Sequence, residues 1–465
     1  MATTDLLGEP TLRAFRDRLS GELLRPGDGG YDEARALWNG RFDRRPALIA
    51  RCRTDADVIA AVEFAREYDL GLAVKSSGHD YAGSAVGDGG LTIDLTPMNA
   101  VRVDPARKTA RVQPGARWGA FDREAQAFGL ATTGGTVSTV GVAGLALGGG
   151  SGHLARKYGL ACDNLISADL VTADGRLVHA DETENPDLFW GLRGGGGNFG
   201  VATSFEFRLH ELGPEVLAGQ IVYRFSDART VLRFYRDFMA DAPDELQCYA
   251  FIIHVPPVAP FPQEFHGETA IDLVVCYAGP IAEGEAALRS LRGFGDPILA
   301  AVEPTSYVAL QQSFDAGMPA GLRWYSRARY LRGLPDDLIE AVLERTNPLP
   351  GPFTMVYFEP EGGAIGRIDP AATAFPHRDT AYGVHIFPGW MDPGQDAELM
   401  GWAREFHAAL APHSTGGVYV NLLSRDEPDG IRSAYGENYG RLVELKRKWD
   451  PGNLFRQNHN VDPTT

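Results

Sequence analysis

Three glycine-rich segments crowd into about 125 residues: 74–90 (VKSSGHDYAGSAVGDGG), 134–152 (GGTVSTVGVAGLALGGGSG) and 194–200 (GGGGNFG). Each adjoins a strand-like run, so the chain must bring several lengths of bare backbone to the ends of strands. There, converging N–H groups can hold an anion without any basic side chain. The first segment also carries His79 and Tyr81, which point at whatever is held.

A chain of 465 residues exceeds a single core, so two domains are expected, one of them free to be discontinuous. The formal charge of −17, spread along the chain, argues against nucleic acid, polyphosphate or an anionic membrane surface as main partner. A small, weakly charged molecule fits better. The four cysteines, Cys52, Cys162, Cys248 and Cys276, form no CxxC pair and no disulfide framework. The start MATTDLLGEP lacks a basic stretch followed by an apolar core, and no window approaches the ~20 apolar residues of a spanning helix. The expectation is a cytoplasmic protein, monomer or homodimer, with no membrane partner and no metal.

The order of elements predicts two textures. ALIAR at 47–51 reads as a strand, Thr54 with Asp57 as a capping box, 55–70 as a helix and 72–75 as a strand, giving a β-α-β start. LTIDL follows, then the hairpins 101–112 and 165–180, a helix near 118–128, the short helix DLFWGLR and the strand VATSFEFRL. From about residue 213 long strand-like runs alternate with helical stretches, which predicts a large antiparallel sheet backed by helices. The tail from residue 436 reads as an amphipathic helix and an extended strip.

Several chemistries lose their signatures. GGGNFG at 195–200 matches GxGxxG, but a helix precedes it and a strand follows, the reverse of the dinucleotide fingerprint. GxxxxGK[ST], HExxH and GxSxG are absent. A bulky dinucleotide such as FAD, its pyrophosphate cradled by separate loops, is one occupant that would fit.

The ordered set SSGHDYAG, TVSTVGVAGLALGGGSGHLARKYGLACDN, NPDLFWGLRGGGGNFGV and YGENYGRLVELKRKWDPGNLF resembles the berberine-bridge-enzyme-like FAD-linked oxidases of the vanillyl-alcohol-oxidase family. The resemblance runs from about residue 45 to the end. It implies an α+β fold in which a two-subdomain FAD-binding domain of the PCMH type (residues 1–212) is joined by a returning C-terminal segment (421–465), with a substrate domain (213–420) between them. His79 takes the place of the family's histidine bonded to the flavin 8α-methyl group; a merely hydrogen-bonding histidine is the alternative. Val137 stands where many members carry a second attaching cysteine, so one covalent bond is expected, as in the 6-hydroxynicotine-oxidase-like branch. Cys162 is out of register for that role and reads as a core cysteine.

The same resemblance implies a flavin-binding set. It comprises Ser76, Ser77, Gly78, Asp80, Gly83 and Ser84 in the first loop, Thr139, Val140, Gly141, Gly144 and Gly149 in the second, and Asn164, Val201 and Asn421. Val140 falls where the family gates oxygen access, though a β-branched residue there also suits plain packing. Tyr419 matches the family's base in YxN, a role that needs a depressed pKa; its alternative is a structural tyrosine. Tyr81 is a substrate-side tyrosine or packs on the flavin edge, and Glu361 is a second base, a substrate contact or a solvated carboxylate. Tyr249, Arg323, Tyr325, Glu359 and His385 are further lining candidates from the insert strands. Gly383 stands where alkaloid-oxidising members place a glutamate, and His459 has no assigned role. The leading function is an FAD oxidase taking hydride from a C–H of a small metabolite and reducing dioxygen to hydrogen peroxide. A flavoprotein tailoring a polyketide-like product, with or without an oxygenated flavin, and a dehydrogenase with another acceptor are the alternatives, and a non-catalytic flavin-binding module is a third.

Overall fold

The computed structural model describes residues 7–427 and 429–465. The first six residues and Pro428 lie outside them.

Three sheets carry the architecture. The first has the order Glu22–Leu24, Leu48–Arg51, Leu91–Asp94, Leu72–Lys75. The helix Asp55–Glu67 starts at a Thr54/Asp57 capping box, whose reciprocal bonds satisfy the first free N–H groups. The β-α-β expectation needs one correction. Leu48–Arg51 and Leu72–Lys75 are not neighbours, because Leu91–Asp94 slots between them, parallel to both. All four of its residues are buried, as in a central parallel strand.

The second sheet runs Val101–Asp104, Thr109–Val112, Val201–Arg208, Leu165–Val171, Leu177–Ala180. Its two hairpins are those expected, and Val201–Arg208 joins them. The second glycine segment is not loop throughout: Val142–Leu147 is a short helix, and its Val142, Ala143 and Ala146 are buried in the core beside Trp118 and Phe121.

The third sheet has seven strands, antiparallel at every pairing: Leu299–Ser306, Glu215–Arg224, Thr269–Tyr277, Leu246–His254, Met355–Pro360, Tyr382–Phe387, Arg327–Leu331. Leu299–Ser306 carries no strand signal in the sequence because it is an edge strand without one fully buried residue. The run 324–331 breaks in two, Arg323–Trp324 leaving the sheet to pair with Gly389–Trp390. Strand alternation sorts the side chains. Leu246, Cys248, Ala250, Val356, Phe358, Val384 and Ile386 pack under helices Ala228–Ala240, Asp336–Arg345 and Asp396–Ala409. Tyr249, Phe251 and Tyr357 cluster together on the opposite face.

The tail closes back on the glycine loops. From helix Tyr439–Trp449, the fully buried Lys446 ammonium donates to the Asn198 carbonyl (2.8 Å), the Phe455 carbonyl (2.9 Å) and the Asp450 carboxylate (2.7 Å). Among the described residues no helix is long and apolar enough to cross a membrane.

Candidate active site

A cavity of about 390 Å³ lies where the three glycine segments, the bare face of the seven-stranded sheet and the C-terminal strip meet. The first loop leaves its strand at Lys75 and turns over Gly78, whose φ of 75° favours glycine. The Asp80 carboxylate folds the loop back by accepting the N–H groups of Ala82 (3.0 Å) and Ser84. Between them, the backbone N–H groups of Ser77 through Tyr81 donate to no protein acceptor among the described residues.

Close approach of loop to loop requires glycine. A Cβ on Gly141 would sit 2.7 Å from Ser77 Oγ and 2.8 Å from Ser76 Oγ, and the Gly141 N–H donates to Ser77 Oγ at 2.8 Å. At Gly144 and Gly197, both on the cavity wall, a Cβ would meet no protein atom. A wall of unsatisfied N–H groups and missing side chains fits a dinucleotide whose phosphates take the hydrogen bonds and whose rings fill the space.

His79 lies on this wall. Its imidazole stacks on Trp38 (centroids 4.9 Å apart, 19° between planes) and has no hydrogen-bond partner among the described residues. Burial, with Arg117 nearby, lowers its pKa to about 3. The ring is therefore neutral, with a free lone pair.

Tyr419 enters from the far end of the chain. Its phenol oxygen accepts the Gly150 N–H (2.8 Å) and Asn421 Nδ2–H (2.9 Å), and Asn421 also donates to the Leu145 carbonyl (3.0 Å). Burial raises the phenol's pKa, against those two donors. That departs from the depressed value a free base requires: in this state the group is a neutral hydroxyl whose two acceptor sites are filled.

The sheet wall is aromatic: Tyr249, Phe251, Tyr357 and Phe387 border the cavity, joined by Trp38, Tyr81, Phe314, Met318 and Met355 from neighbouring segments and strands. Glu359 is its carboxylate. It accepts the Ser151 hydroxyl and lies 3.1 Å from His385 Nε2, a close approach poorly aligned for a hydrogen bond. The Tyr249 hydroxyl is buried with no hydrogen-bond partner among the described residues. Among the described residues no group of His, Cys, Asp and Glu could hold a metal.

The cavity thus gathers Ser76, Ser77, Gly78, His79, Asp80, Tyr81 and Ser84 with Val140, Gly141, Gly144, Val201, Tyr249, Glu359, Tyr419 and Asn421. Other expected residues stand outside its wall. Arg323 is held by the Asp396 carboxylate and the Gly40 carbonyl, and Tyr325 donates to Asp426, because the strand break at 325–326 turns both away. Gly83 backs onto Phe42, Gly149 onto Phe375, and Asn164 bonds the Tyr158 carbonyl and His210. Thr139 borders no part of the cavity, and His385 lies behind Glu359. Glu361 lines a separate cleft. Cys162 packs with Ala155, Leu160 and Tyr330, consistent with a core role.

Residues not foreseen include Ser151, Tyr357 and Asn198, and the tail residues Gln457 and Asn458; His459 joins them. The sequence held a signal for one of these: Tyr357, Glu359 and Glu361 share strand parity in YFEPE.

Comparison with known proteins agrees with this geometry. The FAD binding domain family matches residues 46–181, and the berberine and berberine-like family matches 418–462. The chain is 36% identical to (R)-6-hydroxynicotine oxidase of Paenarthrobacter nicotinovorans over 96% of this chain and 97% of that one. It is 31% identical to an FAD-linked oxidoreductase of Dictyostelium discoideum over 97% and 96%. The crystal structure of 6-hydroxy-D-nicotine oxidase from Arthrobacter nicotinovorans superposes with a TM-score of 0.85 at 33% identity, covering 96% of this chain and 98% of the other.

Proposed function

Because the chain belongs to the berberine-bridge-enzyme-like FAD-linked oxidoreductases, on the branch of 6-hydroxynicotine oxidase, we propose that it oxidises a C–H bond of a small ring-bearing metabolite and reduces dioxygen to hydrogen peroxide. FAD, when bound, supplies the hydride acceptor and hands the electrons to oxygen. The residues that would hold it are Ser76, Ser77, Gly78, Asp80 and Ser84 of the first loop, with Val140, Gly141, Gly144, Val201 and Asn421. His79 is its single covalent anchor, since Val137 offers no second sulfur. Residues 1–212 and 421–465 form the FAD-holding unit, and 213–420 the part that covers the substrate.

The observation that carries this reading is the meeting, in one cavity, of His79, Tyr419 and Asn421 from opposite ends of the chain. Tyr419 donates its remaining hydrogen bond to the substrate's polar group. Once that proton has been given up to water in the cavity, the Gly150 and Asn421 donors stabilise the phenolate, which accepts the substrate's proton. The substrate class follows from the other wall. Aromatic faces around one carboxylate suit a flat apolar ring with a single hydroxyl or amine, whereas a sugar would leave hydroxyls unpaired there.

The test is anaerobic bleaching of the bound flavin against ring-bearing amines and alcohols, oligosaccharides and polyketide-like diketones, followed by admission of air. Ring-bearing compounds should bleach fastest, and air should restore the colour with release of peroxide. Restoration only by another acceptor would refute the oxidase reading. Acid-precipitated holoenzyme should stay yellow, and His79→Ala should lose all of that colour to the supernatant.

A further inference from the structure

Two carboxyls on one strand edge face different spaces. Glu359 borders the reaction cavity, whereas Glu361, two residues on, borders a second cleft of about 480 Å³ lined by Arg156, Arg236, Met239, Leu334 and Tyr382. Glu361 is 5% exposed, and its carboxyl has no hydrogen-bond partner among the described residues. The charged groups facing it are committed elsewhere. Arg156 donates to the carbonyls of Leu246, Ala242 and Glu361 itself, and Arg378 forms a bidentate pair with Asp163, both contacts at 2.8 Å. Tyr330 and Tyr249 are its other titratable neighbours, with Glu359.

The gap between the two acids is a missing side chain. Gly383 pairs with Glu359 across the sheet, and a Cβ on it would lie 2.7 Å from His385 Nε2 and 3.6 Å from Glu361 Oε1. Both atoms therefore border the space that the missing side chain leaves open. His385 Nε2 is in turn 3.1 Å from Glu359.

We infer that Glu361 is the proton outlet of the active site, passing protons from Glu359 and His385 across the gap at Gly383 to solvent in the second cleft. The inference rests on the oxidase reading only in needing a closed cavity whose cofactor gains and loses protons. In each passage one proton enters on Glu359, moves to His385 Nε2 as the imidazole turns into line with that carboxylate, and passes on, as the ring turns back, through a bridging water to Glu361, which has released its own proton to the cleft. One O–H bond forms and one breaks at each carboxyl, and no group is left changed. Burial and the neighbouring Glu359 hold the Glu361 pKa well above the ordinary carboxylate range, so the resting acid carries the proton it gives up.

The experiment needs no substrate. Holoenzyme is reduced with dithionite, freed of reductant without air, and mixed with ferricyanide in weakly buffered phenol red. Flavin colour and released protons are then followed together. In the wild type the two traces should coincide. In Glu361→Gln and in Gly383→Ala, which fills the gap without removing an acid, proton release should lag about tenfold or more behind flavin colour. Formate, small enough for the cleft, should close the lag in Glu361→Gln. Coincident traces in either variant would overturn the outlet while leaving the oxidase reading intact. A variant that returns full flavin colour on reoxidation is folded, so the comparison is made on sound protein.

Discussion

The two walls of the cavity are built from opposite materials. One is backbone: glycine loops stripped of side chains, so that N–H groups and empty volume do the binding. The other is side chain: aromatic rings and one acid projecting at strand period from a sheet whose reverse face is packed under helices. The backbone wall lies partly within the stretch matched by the FAD binding domain family, and its tolerance is set by sterics. The sheet wall is built from side chains whose strand partners pack on the reverse face, so on the proposed function it is where substrate choice would reside.

That contrast is easiest to break from the backbone side. Gly141→Ala places a methyl group against Ser76 and Ser77 and should abolish flavin loading, with a stability loss of about 1–3 kcal/mol. Flavin absorbance per protein and a melting curve check it, and full loading would show that the loops can separate. Tyr419→Phe should retain flavin yet slow anaerobic bleaching about 10²–10⁴-fold. Equal rates would remove the hydroxyl from the chemistry. Tyr249→Phe deletes a buried hydroxyl with no hydrogen-bond partner among the described residues, and KM should rise about tenfold at unchanged flavin content. An unchanged KM with a raised Tm would mean that the hydroxyl awaits no ligand.

The smallest effect concerns pH. His153 is buried against Phe314 and Tyr249 with neither ring nitrogen bonded, and burial lowers its pKa to about 4. Between that value and the ordinary 6.5 of a histidine, the unfolded chain binds the extra proton. Stability is therefore present at higher pH and lost as pH falls through this window. His153→Phe should narrow the fall in Tm between pH 7 and pH 5 by about 2–4 °C. An unchanged fall would locate the acid sensitivity in other groups.

The two walls also differ in how far the sequence reveals them. Glycine loops beside strands are legible because the constraint is local: Gly78 and Gly141 must be glycine for reasons set by their own backbone and the next loop. The sheet wall is legible as alternation but not as a site. The parity of Tyr357, Glu359 and Glu361 is plain, yet the end of the strand at Pro360 sends Glu361 to a different cleft. Arg323 and Tyr325 sit in a strand-like run, and only the break after Trp324 turns them toward Asp396 and Asp426. The parallel insertion of Leu91–Asp94 was hidden for a related reason: strand order is a long-range property, and burial of both its edges is visible only once the partners are in place.

The knot of bonds around Lys446 has a consequence for how the protein is made. The cavity takes Asn198 from its middle and Gln457, Asn458 and His459 from the C-terminal strip, and Lys446 ties the two regions together. While the ribosome is still translating residues before about 460, the nucleotide loops can form but have no lid. Flavin capture therefore waits until the C-terminal strip has been made, and a chain interrupted before Gln457 should show no flavin absorbance.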